Sequence, residues 1–145
     1  MKNCIKGLFI LFSILGQSQI CPLKEGNLIV RHFDIFSHTD SKIVEINSNY
    51  ADVFSVSDGE VVSIINLSHI YSVIIKKEMD EDQYYVYSNL STTTVKKGDV
   101  INSNQLLGKA IQEGGKYSIN FQHRILSEKS NPKKVINCRE LNIYY

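Results

Sequence analysis

The chain's most regular feature is a series of short apolar segments between residues 52 and 111, each broken by glycine or by charge. None keeps a helical period. Residues 53–56, 60–65, 71–77 and 83–89 instead concentrate Val, Ile, Tyr and Phe between turn-forming clusters, which is how pleated, half-buried strands read. Asp58-Gly59 and Lys97-Gly98-Asp99 give the corners backbone freedom, and Met79-Asp80-Glu81-Asp82 caps a hairpin too charged to be buried. Over residues 117–125, strand alternation puts Ser118, Asn120, Gln122 and Arg124 on one face. Tyr117, Ile119, Phe121, His123 and Ile125 take the other, so His123 belongs to the apolar side. The pattern predicts an all-β, single-domain fold.

Residues 1–18, MKNCIKGLFILFSILGQS, differ in kind. Lys2 and Lys6 precede an apolar run from Gly7 to Leu15, and the small residues Gly16 and Ser18 follow. That is the layout of a secretory signal, with an apolar run too short for a membrane span. Cleavage after Ser18 is expected to leave residues 19–145 as one domain without a transmembrane segment, secreted or periplasmic. The alternative is an N-terminal helix packed on the domain, but the run lacks the polar stripe that a surface helix carries.

Charge narrows the partners. Lys and Arg number 16 and Asp and Glu 15; the signal holds two lysines and no acid, so 16 − 2 = 14 bases face 15 acids and the mature net charge is −1. No basic footprint for nucleic acid follows. Lys96-Lys97 and Lys133-Lys134 read as solvated turns. The apolar share of 43% argues against disorder.

Of the three cysteines, Cys4 falls within the signal, leaving Cys21 and Cys138 near the two mature ends. In an oxidising compartment a disulfide between them is one reading, worth up to about 4–5 kcal/mol of chain entropy for so long a loop. A lipid anchor on Cys21 is another, although bulky Ile20 stands where a lipobox wants a small residue. Two unpaired thiols are the third.

The order of motifs carries a resemblance. DGEVVSI at 58–64, Tyr87-Ser88-Asn89-Leu90, VKKGDVI at 95–101 and QLLGKA at 105–110 together resemble the lysostaphin-type zinc endopeptidases that cut peptidoglycan cross-bridges. Biotinyl/lipoyl-like carriers share the VKKGDVI and QLLGKA half, but the lysine between methionines that they modify is absent. Pro22, Gly26 and the strand running to Phe33-Asp34 resemble the family's opening segment, with Asp34 where a glycine stands. Asn131-Pro132 resembles its closing one. The similarity covers about residues 22–135 and implies an antiparallel β-sheet or sandwich with a groove.

It also implies a site, which this chain fills differently. The family's His-x-x-x-Asp falls on Ser41 and Glu45, its Tyr-x-His on Tyr87 and Asn89, and its His-x-His on Ser118 and Asn120. Catalytic zinc needs three protein ligands and an open position where its water is activated. All four histidine positions carry other residues, and only Glu45 keeps a carboxylate. Displaced ligands are the alternative: His38, after a three-residue insertion, could join Glu45, with His32 as a third donor. His69 reads as a surface turn residue. Tyr85, Tyr87 and Asn89 share a strand face that borders the substrate groove in the family, so they either line a cleft or pack as aromatic cross-strand neighbours.

The leading expectation is therefore a catalytically inactive, cofactor-free relative. Its remnant groove, lined by Ser41, Glu45, Asn89, Ser118 and Asn120, would bind peptidoglycan, a cell-wall peptide or a protein such as a wall hydrolase that it regulates. The enzyme reading keeps zinc on His38 and Glu45 and cleaves peptidoglycan peptide bonds. A structural module of a surface assembly is the third reading.

Overall fold

The computed structural model of the protein describes residues 20–32, 43–77, 82–125 and 128–144. Strands follow one another as β1 (Asn27–His32), β2 (Val44–Ser48), β3 (Asp52–Phe54), β4 (Gly59–Leu67), β5 (Ile70–Lys77) and β6 (Gln83–Thr93). Then come β7 (Val100–Ile101), β8 (Leu106–Glu113), β9 (Lys116–Ile125), β10 (Glu128–Lys129), a single 3-10 turn at Pro132–Lys134, and β11 (Arg139–Tyr144). All belong to one sheet in the order β11-β1-β2-β9-β8-β6-β5-β4-β7, with β3 attached to β8 and β10 to β9. Every pairing is antiparallel except β1 with β11. The sheet is thus mixed: β11, from a tail that as sequence says little, supplies its one parallel edge.

β9 organises the fold. Along one edge it pairs with β2 and then β10; along the other it pairs with β8 and then β6. Its alternation decides which face is core. Ile119 and Phe121 are fully buried, as are Ile46 on β2, Tyr87 on β6, and Val73 and Ile75 on β5. Each such aliphatic or aromatic side chain contributes about 1.5–3 kcal/mol by leaving water. Tyr87 meets Phe121 edge-on with ring centroids 5.3 Å apart, and its phenol oxygen accepts the Val56 N–H at 2.9 Å. Burial pushes the Tyr87 hydroxyl well above the usual tyrosine range.

Gly59 serves a purpose other than a flexible corner. A Cβ built there would run into the Lys76 carbonyl and lie 2.7 Å from Ile75 Cγ2, so glycine is what lets β4 lie against β5. Gly98, at φ +94°, does supply the turn conformation expected of it. The charged hairpin expected over residues 79–82 and the signal at 1–18 lie outside the described residues, apart from Asp82, an exposed turn residue.

Cys21 and Cys138 are joined in a disulfide, with Cα atoms 4.8 Å apart and a sequence separation of 117. Both half-cystines pack against the core beside buried Ile136. The bond pins the segment before β1 to the segment before β11, and these two strands then run parallel.

Candidate functional site

The face of the sheet opposite the core carries a polar row. Glu45 on β2 is directly paired with Asn120 on β9, and Asn120 is paired on its other side with Ser88 on β6. Ser88 Oγ accepts a hydrogen bond from Ser72 Oγ on β5 at 3.1 Å. Directly paired residues point to the same face with Cβ atoms about 4.5–5.5 Å apart. Four neighbouring strands therefore offer a carboxylate, an amide and two hydroxyls side by side. One step along β9, Asn47 pairs with Ser118 on the same face. Ser118 is only 5% exposed, so it forms floor rather than rim.

Asn89 departs from simple alternation. Its φ is +65°, and the register between β5 and β6 shifts beside it, between Tyr71 and Val73. Asparagine tolerates this left-handed conformation better than most residues. The register of β6 with β9 runs unbroken from Gln83 to Ser88, so Ser88, not Asn89, pairs across from Asn120. Ser88 and Ser72 are site residues that the family motifs do not mark; the alternation that sets Tyr84, Val86 and Ser88 on one face of β6 is the signal that pointed to Ser88.

Of the two readings of the tyrosine face, aromatic cross-strand packing holds, and Tyr85 and Tyr87 do not line a cleft. Tyr85 and Tyr87 are 3% and 0% exposed and belong to the core, with Tyr85 stacked on His123 at 5.0 Å. Alternation forces this, since Val73 and Ile75 pair with them on the apolar face. Tyr84, one residue earlier, takes the groove side. A cleft of about 670 Å³ opens there, lined by Val62, Ser63, Ile74, Asp82, Tyr84, Val86 and Arg124. Its residues continue the polar row along β6 and β9, because Val86 pairs with Gln122 and Tyr84 with Arg124.

Two buried side-chain polar atoms among the described residues have no hydrogen-bond partner, Asn47 Oδ1 and Arg124 Nε. Both belong to this face. Leaving such an atom unpaired costs about 1–3 kcal/mol, so the polar face is incomplete at either end of the row.

His123 is on the core face, 4% exposed. Its Nε2 is 3.1 Å from Gln83 Oε1 and its Nδ1 is hydrogen-bonded with Ser130 Oγ. Both ring nitrogens are spoken for by the fold. His69 occupies an exposed turn at φ +66°, its N–H donating to Asn66 Oδ1 at 3.0 Å. Ser41 and His38 lie outside the described residues, as does the side chain of His32.

The fold resemblance implies zinc, and the chemistry of this donor set decides whether zinc fits. Zinc binds imidazole nitrogen, thiolate and carboxylate. The row provides one carboxylate, from Glu45, beside amide and hydroxyl groups, and among the described residues no three His, Cys, Asp or Glu side chains converge. The residues of the row do not fit the metal.

A curled mixed β-sheet with an open polar face, traversed by a long central strand, defines the class of lysostaphin-like domains. The comparisons agree: the model of peptidase family M23 matches residues 39–132, and the chain belongs to that family. No curated protein matches it. Among solved structures, a chain of the SpoIIQ–SpoIIIAH pore-forming complex is 19% identical with a TM-score of 0.64, over 82% of this chain and 90% of that one. Csd3 of Helicobacter pylori is 20% identical with a TM-score of 0.64, over 82% of this chain and 33% of its own. Lysostaphin of Staphylococcus simulans is 18% identical with a TM-score of 0.59, over 77% and 49%. At these identities the likeness is one of fold.

Proposed function

We propose that this chain is a secreted, catalytically inactive member of family M23 that binds an extended ligand along its groove. The ligand is a cell-wall peptide or glycan strand, or a wall hydrolase whose activity the domain adjusts. The row Glu45–Asn120–Ser88 carries the reading: amide and hydroxyl groups hydrogen-bond a ligand but neither bind zinc nor exchange a proton near neutral pH. The unpaired Asn47 Oδ1 and Arg124 Nε on the same face support binding over hydrolysis. One solved relative in fold is described as part of a pore-forming complex, which supports a protein partner as one form of that ligand.

The test uses disulfide-bonded protein purified without chelator. We expect less than about a tenth of a zinc per chain, since catalytic sites hold the metal tightly. We also expect no clearing of peptidoglycan suspensions with added zinc, together with co-sedimentation with sacculi or a raised rate of a wall amidase. Stoichiometric zinc with wall lysis establishes the enzyme reading through His38 and Glu45. Absence of both sedimentation and stimulation removes the binding reading.

A further inference from the structure

The cleft at the Arg124 end of the groove has a chemistry of its own. Its walls are aliphatic, from Val62, Ile74 and Val86, with Tyr84 and Arg124 paired across two strands beside them. Arg124 Nε is buried without a partner. Asp82, the acidic residue of the lining, is engaged in an interaction of its own. A guanidinium that presents a fork of donors beside aliphatic walls suits a carboxylate attached to an apolar group.

Rigid spacing limits what that group is. In the C-terminal residue of a peptide, the carboxylate and the side chain hang from one carbon. Charge and apolar surface therefore arrive together, as the cleft presents them. An Asp or Glu side chain brings the carboxylate alone. Four residues along β9 separate Asn120 from Arg124, about 13 Å at strand rise, which an extended peptide of about four residues spans.

We propose that the Arg124 cleft binds the C-terminal carboxylate of a short extended peptide whose last side chain is aliphatic, the chain of that peptide running along β9 toward the Glu45–Asn120 row. The proposal deepens the groove-binding reading and rests on it.

The experiment is an NMR shift titration of the isotope-labelled, disulfide-bonded protein with N-acetyl-Ala-Ala-Ala-Leu and with its C-terminal amide. The acid is expected to bind about tenfold tighter than the amide, one charge-assisted contact's worth, with shifts at the Ile74 and Val86 amides. Arg124→Gln should bring the acid down to the level of the amide. Arg124→Lys, which keeps the charge and loses the fork, should fall between. Equal affinity for both peptides, a preference that survives Arg124→Gln, or no binding of either at about 10 mM, a ceiling weaker than any useful recognition, overturns the proposal. A protein that sediments with sacculi yet treats acid and amide alike loses this subsite and keeps the groove. One that prefers the acid but neither sediments with sacculi nor stimulates the amidase keeps the subsite and loses the wall assignment.

Discussion

Glu45 and Asn120 stand directly opposite each other across the β2–β9 pair, and Asn120 meets Ser88 on its far side. A carboxylate beside an amide makes hydrogen bonds and a local negative potential. It does not lower the pKa of a water toward neutrality, for which three zinc donors or a poised base are needed. The three positions stand on three adjacent strands, each directly paired with the next.

That spacing can be tested by addition. Ser88→His with Asn120→His places two imidazoles beside the Glu45 carboxylate, the three donors that zinc asks for. Zinc content measured by elemental analysis is expected to rise from under about a tenth to about one per chain. No rise in a folded double variant shows that the row does not converge on a point.

Reduction of the Cys21–Cys138 bond, or Cys21→Ser, is expected to destabilise the domain by about 2–5 kcal/mol, because a loop of 117 residues is released in the unfolded chain. Denaturant unfolding with and without reductant measures it. Loss should begin at the β1–β11 edge, readable as faster amide exchange in those strands.

His123→Phe keeps a ring against Tyr85 but leaves Gln83 and Ser130 without the imidazole. A cost of about 1–3 kcal/mol is expected. Zinc content and groove binding should stay at the level of the parent protein, because the imidazole faces the core. A change in either assigns His123 to the site.

Tyr87→Phe removes the acceptor for the part-buried Val56 N–H and is expected to cost about 1 kcal/mol near neutral pH. Titration adds a signature. The folded hydroxyl titrates above the unfolded one because of burial, so folding holds this proton more tightly. The corresponding stability is complete below the unfolded value of about 10 and is lost as pH rises above it. The stability of the parent protein should fall more steeply above about pH 10 than that of Tyr87→Phe, by equilibrium unfolding at stepped pH.

Much of this was written in the chain. Alternation over residues 117–125 placed Ser118, Asn120, Gln122 and Arg124 on one face and buried His123 on the other, because a strand's period of two leaves no freedom once Ile119 and Phe121 choose the core. The motif order from Asp58-Gly59 to Ala110 was enough for the family. Tertiary structure decided what local pattern does not encode. Pairing across strands brought Ser88 and Ser72 into the polar row, and the fold chose the disulfide among the three readings of Cys21 and Cys138. The Arg124 cleft arises the same way: Val62, Ile74, Tyr84 and Arg124 are far apart in sequence, and only the register of β4, β5, β6 and β9 makes them neighbours.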